Sequence, residues 1–260
     1  MMRWLIPLLL CLPSCAEAGA WTQDRGKWQI ISGAIASEAD RSFGTTTPIT
    51  FRRALFQAYA EYGFRDNITL VATAESASVR VVQSGTPFRA VDNAFGAAAR
   101  FRLDKYLHLG AGNILSLEAG WRVAGAFNFA ISANRSMGGQ GGELRLLYGR
   151  SFKLAGRDGF VDIETGYDFL TGPRPDEMPL DLTAGWWIGK NHMLMAQSFN
   201  LLSQAGATPA WPAFNSHKLQ LSWVWRRSPR SLYQLGVFFS PAGNNALVED
   251  GFSFSLWRRF

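Results

Sequence analysis

Apolar and polar side chains alternate one by one through segments of about ten residues, and turn residues separate these segments. The clearest case is residues 218–226, where one face carries Leu219, Leu221, Trp223 and Trp225. The residues between them are polar except Val224. A period of two places successive side chains on opposite faces of a β-strand, whereas a helix repeats its apolar positions at three and four. These segments are therefore predicted to be strands with one apolar and one polar face.

Charged residues on the polar face limit how such strands can pack. Asp162, Glu164 and Asp168 lie opposite an apolar face, and residues 115–123 and 178–188 repeat the pattern. Such strands cannot be buried on both faces, because unpaired charge in an apolar environment is costly. Transmembrane barrel strands have this pattern, with apolar side chains toward lipid and polar side chains inward.

Composition favours a barrel in a membrane. Hydrophobic residues make up 47% of the chain, which contains ten tryptophans and 19 phenylalanines. Beyond the N-terminal region, no stretch approaches the length of about 18 apolar residues that a transmembrane helix needs. We predict an all-β protein, a transmembrane antiparallel up-and-down β-barrel of about 12 strands. A water-soluble periplasmic β-protein is the alternative fold.

Some of the predicted strands have a clearer pattern than others. Segment 51–63 could also form an amphipathic helix, and the alternation is blurred in 27–37, 67–81 and 192–203. The full set of predicted segments is 27–37, 51–63, 67–81, 92–103, 114–125, 142–152, 159–170, 177–188, 192–203, 217–227, 231–242 and 251–260.

The connections and the aromatic residues agree with one topology, in which both ends of the barrel domain lie in the periplasm. Most turns after even-numbered strands are short, and the longest loops, 38–50, 126–141 and 204–216, follow odd-numbered ones. The long 104–113 connection and the short 171–176 loop are exceptions. Aromatic residues then fall at the periplasmic ends of strands, where amphipathic rings form a girdle at the membrane interface. This predicted girdle consists of Trp28, Tyr62, Phe101, Phe152, Trp186, Trp225, Tyr233 and Phe260.

The N-terminal residues have the pattern of a cleaved secretory signal. Arg3 supplies the positive charge, and residues 4–12 form a short apolar core. Ala16-Glu17-Ala18 is a cleavage site of the A-x-A type, and Ala18-Gly19-Ala20 is a second candidate. We predict a signal peptide at residues 1–20 and an outer-membrane β-barrel at residues 21–260.

The predicted signal also contains both cysteines, Cys11 and Cys15. After ordinary cleavage the chain would have no thiol for a disulfide, a metal site or a nucleophile. Residues 12–15 loosely resemble a lipoprotein cleavage box, which would instead leave Cys15 lipidated. The net charge of +6 comes from scattered basic residues without a run of five or six, so no nucleic-acid partner is expected.

The last ten residues resemble the C-terminal strand of Gram-negative outer-membrane β-barrels. Phe252, Phe254, Leu256 and Phe260 match its apolar positions, whereas Arg258 departs from it and would have to extend its charge toward water. The resemblance implies location in the cell outer membrane, contact with lipid and lipopolysaccharide, and recognition by the barrel-assembly machinery. More loosely, the segment order is similar to uncharacterised proteobacterial barrels and to barrels associated with uptake of aromatic compounds.

The polar faces predict a charged lumen. A barrel of this size has a narrow interior, so the charges either pair and close it or line a narrow water-filled path. The predicted lumen residues are Arg53, Gln57, Glu61, Arg100, Arg102, Glu118, Arg122, Glu143, Arg145, Asp162, Glu164, Asp168, Asp181, Lys218 and Arg226.

Catalytic, metal and cofactor sites are not expected. An outer-membrane phospholipase-like site needs a serine two residues from its histidine, but Ser216 is adjacent to His217 and position 219 is Leu. His108 and His192 are predicted at the opposite end of the barrel. The acidic residues of segment 159–170 could bind a hard cation, but are expected to face arginines. The glycine-rich residues 138–142 are predicted to be an external loop.

Three functions follow from this fold. The first is a narrow channel or transporter for small molecules, with small apolar or aromatic compounds as a possible ligand. Apolar loop residues 127–129 and 210–214 could cover such a ligand, fold inward as a plug, lie on the lipopolysaccharide surface or cap the rim. The second is a closed barrel with a structural or accessory role in envelope assembly or polymer secretion. The third is a lipid-modifying enzyme that would depend on His217.

Overall fold

The chain forms a closed β-barrel. The computed structural model describes residues 19–45, 48–83, 85–124, 140–172, 174–204 and 212–260. In these residues every strand pairs antiparallel with its neighbours in sequence, and the last strand pairs with the first. The strands are β1 (Trp28–Ala39), β2 (Ile49–Arg65), β3 (Ile68–Gln83), β4 (Thr86–Arg102), β5 (Asn113–Ala124), β6 (Gly141–Leu154), β7 (Arg157–Leu170), β8 (Glu177–Trp187), β9 (His192–Ser203), β10 (Phe214–Ser228), β11 (Ser231–Asn244) and β12 (Asp250–Arg259).

The two ends of the barrel differ. One end carries the beginning of β1, the end of β12 and mostly short connections, and we call it the turn end. Its longest connection contains the short helix α1 (Asp104–Leu107). The other end, the loop end, carries the connections that follow odd-numbered strands. No helix among the described residues is long and apolar enough to span a membrane.

The predicted strands are all present. Segment 51–63 lies within β2 and is not a helix. The largest difference is β4, which begins at Thr86 because it pairs with β3 as one long hairpin up to the Gln83–Thr86 pair. The predicted external loop at residues 138–142 is wrong for Gly141 and Gly142, which begin β6 and pair with β5. Residues 138 and 139 lie outside the described residues.

The apolar face changes sides along β2 and β3. Near the turn end, Glu61 and Thr69 point inward and are buried, while Leu70 is exposed on the outer face. Toward the loop end, apolar residues point inward and form one cluster of Ala39, Ile49, Phe51, Leu55, Ala77, Val79, Val81 and Leu247. This reversal explains why the alternation in segment 67–81 is blurred and why segment 51–63 resembled an amphipathic helix.

The predicted girdle residues lie at the turn end on the outer face. Trp28 pairs with Tyr62 and Trp225 with Tyr233, and the rings of each pair are in contact. The other four, Phe101, Phe152, Trp186 and Phe260, are exposed or half-buried at the same end. The outer surface therefore carries aromatic rings at one level, as the interface of a membrane favours.

Closure of the barrel depends on a glycine in β12. Gly251 pairs with Ser37 of β1 and with Phe238 of β11, and a β-carbon at Gly251 would come within 2.8 Å of the Phe238 ring. We predict that Gly251→Val destabilises the barrel by about 1–3 kcal/mol through overpacking. The measurement is the unfolding temperature together with the difference in gel migration between unheated and heated protein.

The matched control is Gly110→Val, at a position where the nearest atom to an added β-carbon is Asn113 Nδ2 at 3.8 Å. This variant should unfold like the unmodified protein. Equal stability of the two valine variants would contradict a role for Gly251 in closure.

Candidate functional site

The segment that precedes β1 lies inside the barrel. We call residues 19–26 the N-terminal plug. At the turn end, Gly26 N donates to the Gly63 carbonyl at 2.7 Å, so the chain turns inward beside β2. Further in, Gln23 N donates to Thr69 Oγ1 at 2.9 Å. The backbone of the plug is thus satisfied by the inner wall of the barrel.

Trp21 is the main apolar contact of the plug. Its indole packs edge-on against Phe160, with ring centroids 5.9 Å apart, and lies over Gly149 of β6. A β-carbon at Gly149 would come within 2.6 Å of this indole, so only glycine leaves room for it. The ring belongs to a buried cluster with Ala20, Ile114, Leu147, Phe160, Trp187, Met193, Met195, Val224, Leu232 and Trp257. This cluster fills the turn end of the lumen with apolar side chains.

The innermost plug residues meet polar groups. Ala20 N donates to Asp162 Oδ2 at 2.9 Å, and the Ala20 carbonyl accepts a hydrogen bond from Ser116 Oγ at 2.6 Å. Gly19 lies against the Asp162 carboxyl group, since a β-carbon there would be 2.5 Å from its Cγ. The first described residues of the plug therefore lie beside an acidic side chain of the inner wall.

A buried guanidinium connects the plug to the wall. Arg100 of β4 bonds Glu61 Oε1 of β2 at 2.7 Å on one side. On the other side it bonds Glu118 Oε2 of β5 at 2.8 Å. It also donates to the Trp21 carbonyl at 3.0 Å and to the Tyr59 hydroxyl at 2.6 Å. With 2% of its side chain exposed, Arg100 compensates two carboxylates that are themselves buried.

Above the plug the lumen contains a cavity of about 590 Å³. Ion pairs line part of its wall: Arg122 bonds Glu75 at 2.8 Å, and Arg145 lies 3.6 Å from Glu143 and 3.9 Å from Asp168. These pairs hold their side chains along the wall.

Three carboxylates of the described cavity wall lack such a partner, namely Asp162, which accepts the Ala20 amide, and two others. Glu164 of β7 and Asp181 of β8 are directly paired across the two strands and both line the cavity. Among the described residues neither is within 4.0 Å of a cationic side chain. The opposite part of the lining is mixed, with the apolar residues Ile31, Ile35 and Phe238 among polar ones such as Gln234 and Ser255. The cavity therefore has an acidic side that faces a wall with apolar and polar groups.

The loop end is partly closed by the connection between β11 and β12. Its Glu249 is buried, bonds Arg53 at 2.6 Å and forms an ion pair with Lys218. Burial acts to raise the pKa of Glu249, but Lys218 and Arg53 outweigh it and hold the pKa of this carboxyl below its ordinary value. This loop is thus fixed inside the barrel by charge.

The predicted lumen residues lie on the inner wall at different heights. Arg102 and Arg226 lie at the turn end, outside the cavity, where Arg102 bonds Asp104 at 2.8 Å and Arg226 stacks on the Trp187 ring at 3.7 Å. Gln57 is among the cavity residues. The others are Arg53, Glu61, Arg100, Glu118, Arg122, Glu143, Arg145, Asp162, Glu164, Asp168, Asp181 and Lys218, with the contacts given above.

Sequence reasoning missed several groups of the site. Tyr59 is two residues from Glu61 in β2 and therefore lies on the same inward face, so the alternation of the strand could have identified it. Glu75 lies in the blurred part of β3, and Glu249 lies in a connection, where strand parity gives no direction. The plug itself carries no strand pattern, and its first two residues, Gly19 and Ala20, fall within the predicted signal.

The outer face carries one polar cluster that bears on catalysis. His217 Nδ1 is 2.8 Å from Asn200 Oδ1, and Ser198 also bonds Asn200. No described serine is hydrogen-bonded to His217, so this cluster lacks an activated nucleophile. In the described part of the chain no three acidic, histidine or cysteine side chains are placed to hold a metal ion.

Comparison with known proteins identifies the fold. No family model and no curated protein matches the chain. Among solved structures, the COG4313 outer membrane channel from Pseudomonas putida F1 matches with a TM-score of 0.67 and 12% identity, over 93% of this chain and 98% of that one. The fold is that of outer-membrane β-barrels.

Two further structures match over most of their length. The NanC porin has a TM-score of 0.53 and 7% identity, over 88% of this chain and 98% of that one. The transport unit of the autotransporter AIDA-I from Escherichia coli has a TM-score of 0.51 and 8% identity, over 96% and 93%. At these identities the similarity establishes the architecture, and function has to be argued from the lumen.

The Arg100 network gives a prediction about stability. Arg100→Met leaves Glu61 and Glu118 buried without their cation, which should cost about 3–5 kcal/mol. The triple variant Arg100→Met/Glu61→Gln/Glu118→Gln removes all three charges and should regain most of that loss. The measurement is urea unfolding of the refolded barrel in detergent micelles. Equal stability of the single variant and the unmodified protein would contradict the assignment.

Proposed function

We propose that the protein is a narrow outer-membrane channel for small molecules. The observation that carries this proposal is the cavity of about 590 Å³ inside a closed barrel, lined by fixed ion pairs and by three carboxylates without a cationic partner among the described residues. A barrel interior that served only for stability would be expected to fill this space with side chains. The fold shared with an outer membrane channel and a porin supports the same proposal.

The proposed location is the cell outer membrane, reached by export with a signal peptide at the N-terminus. The outer face supports it, because exposed apolar side chains such as Phe56, Leu221 and Phe254 would be costly in water and favourable in lipid. The turn end would then face the periplasm and the loop end the lipopolysaccharide. We also propose that the barrel-assembly machinery recognises strand β12, as its resemblance to C-terminal strands implies.

The two sides of the cavity suggest the class of solute. Glu164 and Asp181 favour positive charge, while Ile31, Ile35 and Phe238 favour apolar surface. A small organic cation with an apolar part has both properties. The sequence suggested apolar loop residues as a possible cover for an apolar or aromatic ligand. Of these, residues 127–129 and 210–211 lie outside the described residues.

A second candidate function is a closed barrel with an accessory role in the envelope. The plug favours it, because Trp21 and its apolar cluster fill the turn end of the lumen. For a channel, the plug has to move or leave a path beside it. Conductance therefore separates the two functions, whereas the lipid-modifying enzyme lacks support from the His217 cluster.

The first experiment is single-channel conductance of the mature barrel in a planar bilayer, with Trp21→Ala as the test variant. Replacing a buried tryptophan with alanine removes about 3–5 kcal/mol of packing, so the open fraction should rise by at least about tenfold. The matched control is Trp28→Ala, which removes an outward-facing tryptophan and should leave conductance unchanged. Silence of both variants in a folded barrel would instead support the accessory role.

Ion selectivity tests the acidic side of the cavity. The open barrel should prefer cations, and Glu164→Gln/Asp181→Asn should lower the cation-to-anion permeability ratio by a factor of roughly two to ten. The control is Glu38→Gln, since Glu38 is an exposed carboxylate paired with Arg52 outside the lumen. Reversal potentials in a salt gradient give the ratio. An unchanged ratio in the double variant would show that solutes do not pass these carboxylates.

A further inference from the structure

We propose that signal peptidase cleaves the chain between Ala18 and Gly19, and that Asp162 binds the new α-ammonium group inside the lumen. In this step water hydrolyses the Ala18–Gly19 bond, the signal peptide leaves with the Ala18 carboxylate, and Gly19 keeps the amino group. The inference rests on the proposed export of the chain and extends the proposed function by assigning the anchor of the plug.

The position of Gly19 is the first observation. Gly19 lines the cavity, and the Asp162 carboxyl group occupies the space beside its α-carbon, where a side chain would have to stand. The next residue, Ala20, is completely buried and donates its amide to the same carboxyl group. The amino group of a chain that begins at Gly19 therefore lies next to Asp162 without any change in the path of the plug.

The charge of the wall is the second observation. Asp162 is 4% exposed, and it stands two residues from Glu164 on the same face of β7. In the part of the chain that the structure describes, neither carboxylate lies within 4.0 Å of a lysine, arginine or histidine nitrogen. A buried carboxylate without a cation is costly, and an α-ammonium group is charged at neutral pH. The new N-terminus supplies the missing cation.

Cleavage at the second candidate site would not fit these contacts. A chain that began at Trp21 would lack the amide that bonds Asp162 and the carbonyl that bonds Ser116. Two buried polar groups would lose their partners, which is costly. The structure therefore favours the site after Ala18 over the site after Ala20.

A lipidated Cys15 fits no better. Four residues span at most about 14 Å, so the acyl chains would have to start within that distance of Gly19. Gly19 lies in the lumen beside Asp162, on a wall that is charged at this height. The lipid chains would then have to cross the barrel wall or lie in a polar cavity, and both are unfavourable.

The first test is the intact mass of the protein purified from outer membranes, together with N-terminal sequencing. We expect a chain that begins at Gly19. A chain that begins at Trp21, or a lipid-modified chain that begins at Cys15, would overturn the proposal. Neither readout depends on conductance, so a silent barrel with Gly19 at its N-terminus would contradict the channel and leave this inference intact.

The second test measures protection of the α-amine, with an aldehyde reagent that reacts selectively with α-amino groups. Labelling of the folded barrel should be at least about tenfold slower than labelling of the heat-denatured protein. Asp162→Asn should remove most of this protection. The control is Asp168→Asn, because Asp168 lies on the same face of β7 but faces Arg145. Equal labelling of folded and denatured protein, or protection that Asp162→Asn retains, would overturn the anchor.

A further variant covers the case in which the charge variants do not fold. One serine inserted between Ala18 and Gly19 leaves every residue of the barrel wall unchanged and moves the α-ammonium about 3.5 Å along the chain. Labelling of this variant should be faster than that of the unmodified barrel, provided that mass spectrometry shows serine as its first residue. Unchanged protection would overturn the anchor, because it would mean that burial of the plug, and not the Asp162 carboxylate, protects the amine.

Discussion

One buried guanidinium ties the wall of this barrel to the segment inside it. Arg100 bonds Glu61 on one side, Glu118 on the other and the Trp21 carbonyl in the lumen. Each of these groups would be costly to bury alone, so each contact depends on the others. The plug therefore does more than occupy space, because its backbone supplies one of the acceptors that keep Arg100 satisfied. A barrel without the plug would have to rearrange this network.

The apolar cluster around Trp21 strengthens the same network. By filling the turn end of the lumen it excludes water, and electrostatic interactions are stronger where water is excluded. Farther along the barrel the wall becomes polar and the cavity opens, so Glu164 and Asp181 are only half-buried, whereas Arg100 at the cavity edge is almost fully buried. The lumen is thus divided into a dry end that fixes the plug and a wetter middle where a solute could bind.

The strands could be predicted because the alternation of apolar and polar residues can be seen directly in the sequence, without knowledge of the fold. The prediction weakened where β2 and β3 reverse their apolar face, since Phe51 and Val79 point inward while Arg52 and Arg80 point outward. The direction of charged side chains followed from the same alternation. Their partners did not follow. The pair Lys218–Glu249, for example, depends on the path of the connection between β11 and β12, which the alternation within strands does not predict.

Two glycines in the sequence are explained by the plug and not by the alternation of the strands. Gly63 and Gly149 both face inward from strands, and a glycine there weakens a strand unless another group approaches it closely. The plug backbone approaches Gly63, and the Trp21 indole covers Gly149. Gly63 and Gly149 therefore mark where the wall receives the plug. Since a side chain at either position would exclude the plug, the wall and the segment inside it specify one another.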